Sequence, residues 1–262
     1  MEIKYFTGID IGSTCSKTVV MDAKGMILHR LLRPTGWSSV DTAGLIREEL
    51  EGLGIRFEAC RVVSTGYGRA AVPYADKNVT EITCHAKGAC HIFGTEDLTV
   101  VDIGGQDTKL IVVQKGQVTD FLMNDKCSAG TGRFLEVMAN TLSVGLEELC
   151  DMARSGGGVS ISSMCTVFAE SDVIGLIGKG EQRENIAYAV VNSIVRKVAS
   201  QAGRLNLDQT VCLTGGLCEL DYLREQLGKA LHCSVVSCPD GRYAGAAGAA
   251  LSALRLEQGK KA

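Results

Sequence analysis

One pattern occurs twice in this chain, and it restricts the folds the chain can adopt. Gly8-Ile9-Asp10-Ile11-Gly12-Ser13-Thr14-Cys15-Ser16-Lys17-Thr18-Val19-Val20 returns 92 positions later over Val100–Val112. At that spacing Asp10 falls on Asp102, Ile11 on Ile103, Gly12 on Gly104 and Lys17 on Lys109. Val19-Val20 falls on Ile111-Val112. Each copy is an apolar run, a Gly-containing turn and a β-branched return, which reads as a β-hairpin. A single Asp-x-Gly turn usually does no more than close a hairpin. Two copies in matching hairpins point instead to a duplicated α/β architecture, two halves facing each other across a cleft. The turns suit phosphate chemistry. Glycines let backbone N–H groups approach an anion closely, and Asp102 and Asp10 can each hold Mg²⁺ through water.

Composition narrows the setting. The 262 residues are 45% hydrophobic, enough for one large or two modest cores. The expected boundaries are 1–95 for an N-terminal subdomain and 96–262 for a C-terminal one. The closing helix is expected either there or packed back on the first half. Three prolines and no low-complexity tract argue against a long disordered linker. With net charge −3 and scattered Lys and Arg, nucleic acid is not an expected partner. The N-terminus enters a strand at once and no apolar run reaches membrane length, so the expectation is a cytoplasmic protein without membrane contact. Its eleven cysteines are then expected to be reduced or metal-ligating, and no C-x-x-C occurs.

Along the chain, Lys4–Ile11, Lys17–Asp22 and Met26–Arg33 read as antiparallel strands and Ser39–Leu53 as a helix. Arg61–Thr65 is a strand running into Gly66-Tyr67-Gly68-Arg69, equally readable as a cleft loop or a surface turn. Asn78–Thr83 reads as a strand with Cys84-His85 at its junction with a helix to Phe93; a lone histidine there is more often structural than functional. Val118–Met123 reads as a strand, Arg133–Leu142 and Leu146–Ser155 as helices, and Val159–Ser163 as a short strand. Met164-Cys165 opens a helix reaching about Lys179, and Asn185–Leu205 is a long one. Thr210–Leu213 leads into Thr214-Gly215-Gly216, and Ser234–Ser237 is a last strand. Tyr243–Leu256, with Gly245 and Gly248 among alanines, is a helix suited to close packing.

The ordered set of Asp10 loop, Asp102 loop, acidic helix near Glu170, Gly215-Gly216 loop and Ala/Gly-rich closing helix resembles the acetate and sugar kinase/Hsp70/actin superfamily. That resemblance implies two duplicated actin/Hsp70-like, ribonuclease H-like subdomains around a nucleotide cleft. The segments NDKCSAGTGRFLEVMAN (124–140), SSMCTVFAESDVI (162–174), STGYGR (64–69) and CHAKGA (84–89) look more specifically like the ATP-dependent activators of 2-hydroxyacyl-CoA dehydratases. The ATPase subunits of benzoyl-CoA reductases are related to these. The resemblance implies a homodimer binding ATP or ADP with Mg²⁺ and sharing one [4Fe–4S] cluster, held by Cys127 and Cys165 of each chain. It also implies an iron–sulfur dehydratase or reductase as electron acceptor and a ferredoxin or flavodoxin as donor. Gly12, Ser13, Thr14, Cys15, Lys17, Gly104, Gly105 and Gln106 fall to the phosphates, Gly215 and Gly216 to adenosine, and Asp10 and Asp102 to Mg²⁺. Gln106 or Glu170 is then the residue orienting the attacking water.

The residues fit that implication. Four thiolates make a cluster a net anion, and helix N-termini favour anions; both cysteines are expected at helix starts. Cys60, Cys150 and Cys212 read as small buried hydrophobes instead. Raising one electron by 100 mV costs about 2.3 kcal/mol, a scale that ATP hydrolysis covers several times over. Two alternatives are a small-molecule kinase of the same fold and a cluster-gated nucleotide or redox sensor.

Overall fold

The repeated hairpins fold as their apolar runs dictate. In a computed structural model that describes residues 3–162, 165–207 and 210–261, β1 (Tyr5–Ile11) pairs antiparallel with β2 (Cys15–Met21), and β2 with β3 (Ile27–Pro34). β1 and β2 are buried almost throughout, whereas β3 alternates between half-buried and exposed positions as an edge strand does. α1 (Ser39–Gly52) begins at Ser38, whose Oγ accepts the Asp41 N–H at 3.2 Å. β4 (Cys60–Thr65) then returns parallel to β1, followed by β5 (Lys77–Asn78) and α2 (Glu81–Phe93).

The second copy repeats the plan. β6 (Leu98–Ile103), β7 (Thr108–Gln114) and β8 (Gln117–Asn124) lead into α3 (Gly132–Thr141) and α4 (Leu146–Ala153). Next come α5 (Thr166–Gly178), α6 (Arg183–Ala202), β9 (Thr210–Gly215), α7 (Asp221–Leu231), β10 (Val235–Val236) and α8 (Ala244–Lys261). The two sheets run β3-β2-β1-β4-β5 and β8-β7-β6-β9-β10, one topology used twice. In each, the strand carrying the aspartate is central and a parallel strand lies beside it, with Thr65 against Asp10 and Thr214 against Asp102.

Two compact units result. The first comprises Met1–Asp97, Val113–Thr119 and Asp240–Ala262, and the second Leu98–Val112 and Asp120–Pro239. In the first, α8 packs on both β1 and α2 with almost no side chain between the backbones. A Cβ on Gly8 would strike the Ala246 carbonyl, one on Gly88 the Ala244 carbonyl, and one on Gly248 the Cys84 carbonyl. The small residues expected to allow close packing therefore serve a sheet contact and a helix contact at once. The second unit has its own core around Phe134, Leu135, Met138, Val190, Ile194 and Leu213. No helix among the described residues is long and apolar enough to cross a membrane.

Three expectations change. Residues 79–83 are not strand: Thr80 is the N-cap residue of α2 and Glu81 stands in its first turn, where the helix dipole favours a carboxylate. His85 therefore lies inside α2 and not at a strand–helix junction. Residues 159–162 form no strand, because side chains rather than a ladder take nearby amides. Gly157 N–H donates to Asn185 Oδ1 and Ser162 N–H to Asp172 Oδ2. Ser163, the last residue of that stretch, and Met164, expected to open the next helix, lie outside the described residues. Finally, Cys127 stands five residues before α3, whose N-cap is Thr131, and is not at a helix start. A turn at Ala129–Gly130, closed by Thr131 N–H on the Ser128 carbonyl and with Gly130 at φ 90°, intervenes.

Candidate functional site

Both hairpin turns close by the same bond. Gly12 N–H donates to the Cys15 carbonyl at 3.2 Å, and Gly104 N–H to the Asp107 carbonyl at 2.9 Å. Each aspartate is buried at the end of its strand, Asp10 at 5% exposure and Asp102 at 2%. Behind each lies a glycine in the left-handed region, Gly66 at φ 87° and Gly215 at φ 86°. A Cβ on Gly66 would meet the Asp10 carboxylate, and one on Gly215 would come 3.0 Å from Asp102 Oδ1. Thr65-Gly66 is thus the counterpart of Thr214-Gly215, an equivalence missed in the sequence. The signal was present, an apolar strand ending in Thr-Gly, but insertions after the second hairpin obscured it.

The first turn is braced by its own unit. Thr35 Oγ1 donates to the Gly12 carbonyl at 2.7 Å, Thr35 N–H to the Thr14 carbonyl at 2.9 Å, and Gly68 N–H to the Ile11 carbonyl at 2.8 Å. The Gly66–Arg69 loop therefore lies packed under the Asp10 turn, leaving Tyr67 exposed. Ser13 and Cys15 are half-buried, Thr14 is exposed, and Lys17 Nζ donates to the Cys15 carbonyl at 3.4 Å. His85 is buried. Its Nε2 lies 2.9 Å, and Asp10 Oδ2 2.6 Å, from the point where a Cβ of residue 245 would stand, so Gly245 is what admits both groups.

The second turn is held differently. Asp102 Oδ1 accepts the Thr214 hydroxyl at 2.8 Å, and Oδ2 faces Lys109 Nζ at 3.5 Å. Lys109, itself 3% exposed, also donates to Asp107 Oδ2 at 2.7 Å. Gly105 is half-buried, Gln106 is exposed at the tip of the turn, and Gly216 is exposed beside buried Gly215. The carbonyls of Gly104 and Gly105 accept the first N–H groups of the α3 region, from Gly132 and Arg133, both at 2.8 Å. Thr108 Oγ1 donates to the Gly130 carbonyl at 2.6 Å. Three hydrogen bonds thus join the Asp102 turn directly to the segment that carries Cys127.

That segment meets the other expected cysteine. Ser128 and Thr166, each directly after one of the two cysteines, share a hydrogen bond of 2.7 Å between their hydroxyls. Cys165 is the N-cap residue of α5 and Cys127 lies in a loop; both thiols are half-buried. Two thiols on chain segments that meet, one of them at a helix N-terminus, suit an anionic iron–sulfur cluster. Among the described residues no group of three or more His, Cys, Asp or Glu is placed to hold a metal. Beyond Cys165, α5 exposes Val167, Phe168, Ile174 and Ile177. Glu170 on the same helix accepts the Thr141 hydroxyl at 3.5 Å. Cys60, Cys150 and Cys212 are buried, as expected, and burial pushes the thiols of Cys60, Cys84 and Cys150 up to about 11. Asp10 and Asp102 are the donor type that a hard divalent cation takes.

The chain matches the BadF/BadG/BcrA/BcrD ATPase family over residues 7–253. It is 41% identical over 254 residues to the (R)-2-hydroxyglutaryl-CoA dehydratase activating ATPase of Acidaminococcus fermentans, covering 96% of this chain and 97% of that one. It is also similar to a solved structure, the activator of the 2-hydroxyisocaproyl-CoA dehydratase from Clostridium difficile with bound ADPNP. The TM-score is 0.90 at 35% identity, covering 98% of each chain. A likeness to a ROK family glucokinase from Streptomyces griseus, TM-score 0.61 at 15% identity over 96% of this chain and 99% of that one, concerns the fold alone. The duplication expected from the repeat, and the actin/Hsp70-like architecture implied by the resemblance, are those observed.

Proposed function

The chain belongs to the BadF/BadG/BcrA/BcrD ATPase family, and on that premise we propose that it hydrolyses ATP to activate a partner acyl-CoA dehydratase by delivering one low-potential electron. Relatives named as dehydratase activators, aligned over nearly the whole chain, support the partner class and do not favour the kinase alternative. The backbone of Gly12, Ser13, Thr14 and Cys15, with Lys17, and that of Gly104, Gly105 and Gln106 bind the phosphates. Asp10 and Asp102 hold Mg²⁺ through water. Gly215 and Gly216 give adenosine a face without side chains. Gln106, exposed on the Asp102 turn, orients the attacking water; Glu170, bonded to Thr141, is the second candidate for that role.

Cys127 and Cys165 of each of two chains supply four thiolates, the number one [4Fe–4S] cluster takes. When bound, that cluster supplies a one-electron carrier. The exposed apolar residues of α5, next to Cys165, support a homodimer formed there. A ferredoxin or flavodoxin is the electron donor, and the setting is cytoplasmic.

The observation that carries this reading is the bonding of the Gly104 and Gly105 carbonyls to the Gly132 and Arg133 amides, with Thr108 on Gly130. A ligand that shifts the Asp102 turn pulls on the segment holding Cys127. Nucleotide state is therefore expected to change iron accessibility. The test is anaerobic chelation of iron in the nucleotide-free, ADP and ATP-analogue states, with faster loss expected for the analogue. Identical rates in all three would sever turn from cysteine and overturn the coupling. Electron transfer to a partner driven by ATP turnover separates an activator from a cluster-gated sensor.

A further inference from the structure

The two copies of the hairpin differ in charge at one position. Superposing them by the sequence repeat places Cys15 where the second copy has Asp107. In the first copy the ammonium of half-buried Lys17 rests on a neutral carbonyl, that of Cys15. In the second, the ammonium of Lys109 is buried between two carboxylates, 2.7 Å from Asp107 and 3.5 Å from Asp102. A buried carboxylate without a counter-charge is costly. Lys109 therefore balances Asp102, and Asp107 gives the ammonium a second place to rest.

We propose that Lys109 is a positioning residue, an internal cation that stands in for the divalent metal at Asp102 and withdraws onto Asp107 when the metal arrives with its nucleotide. The inference rests on the reading of Asp102 as a metal-holding carboxylate. Two acids and one ammonium leave the turn with one net negative charge, which a divalent ion can outbid the ammonium to fill. The first copy has no such reserve, because among the described residues its lysine pairs with no acid. The second turn thus keeps its shape between turnovers while its hydrogen bonds to Gly130, Gly132 and Arg133 stay in register.

The probe is Mn²⁺, counted by electron paramagnetic resonance, on the full-length protein purified anaerobically, with and without ATP. Lys109→Met removes the ammonium at similar length and is expected to bind Mn²⁺ without nucleotide about ten-fold or more tighter than wild type. Lys17→Met is expected to show no such gain. Wild type that binds Mn²⁺ with ATP, alongside a folded Lys109→Met variant with no gain, overturns the stand-in alone. Wild type that binds no Mn²⁺ even with ATP overturns the metal reading of Asp102 as well. Should Lys109→Met fail to fold by circular dichroism, Asp107→Asn decides. With only Asp102 left for the ammonium, Mn²⁺ affinity in the ATP complex is expected to fall about ten-fold, and an unchanged affinity overturns the proposal.

Discussion

Asp10 and Asp102 hold the same place in two copies of one hairpin, yet their surroundings differ. Asp102 is bonded by Thr214 and Lys109, while Asp10 lies against Gly66 and Gly245 with His85 beside it. Either change, Asp10→Asn or Asp102→Asn, is expected to lower ATP turnover about 100-fold or more while iron content stays at the wild-type level. Turnover near wild type in either variant would mean that the metal is held elsewhere. The buried thiols make a separate statement about pH. Cys60, Cys84 and Cys150 are raised from 9.0 to about 11 by burial. The unfolded chain therefore loses these protons first, and the stability that they contribute is intact below pH 9 and lost as pH rises toward 11. Urea midpoints measured from pH 8 to 11 should fall across that window. A flat profile would mean that these thiols titrate alike in both states.

At the scale of elements, the contact of α8 with α2 and β1 decides the first unit. Gly88 and Gly248 each lie against a carbonyl of the opposite helix, and Gly8 against the carbonyl of Ala246. These are backbone neighbours that cannot rotate away. Gly248→Val is therefore expected to cost about 3 kcal/mol or more, or to prevent folding, because the helices must separate to admit the side chain. Gly259→Val, at the exposed end of the same helix where a Cβ meets nothing, should cost about 1 kcal/mol or less. Equal midpoints for the two variants in thermal unfolding would mean that α8 does not pack where it is seen.

Taken as a whole molecule, the chain joins the two cysteine-bearing segments through Ser128 and Thr166 and leaves apolar residues of α5 exposed. On the proposed reading, cluster content and assembly are one property. Cys127→Ser and Cys165→Ser each remove half of the four thiolates that two chains would offer. Both are expected to abolish the bound iron and weaken the dimer, read by iron and sulfide analysis and by sedimentation. Full iron retention in both variants would sink the assignment.

What the sequence determined by itself was whatever depends on local pattern. The hairpin repeat, the aspartates at its turns, the apolar period of α6 and the small residues of α8 follow from side-chain spacing, and so they were legible with the correct register. The motif around Cys127 and Cys165 was legible as a resemblance. What tertiary structure decided was every property set by neighbours distant in sequence. Residues 79–83 have the β-branched composition of a strand, but packing of α2 on α8 draws Glu81 onward into helix. Cys127 was displaced from a helix start because the first amides of the α3 region are spent on Gly104 and Gly105. The equivalence of Thr65-Gly66 with Thr214-Gly215 arises only once parallel strands lie side by side. Spacing along a chain cannot encode which distant strand will lie beside another; that is fixed by the sheet.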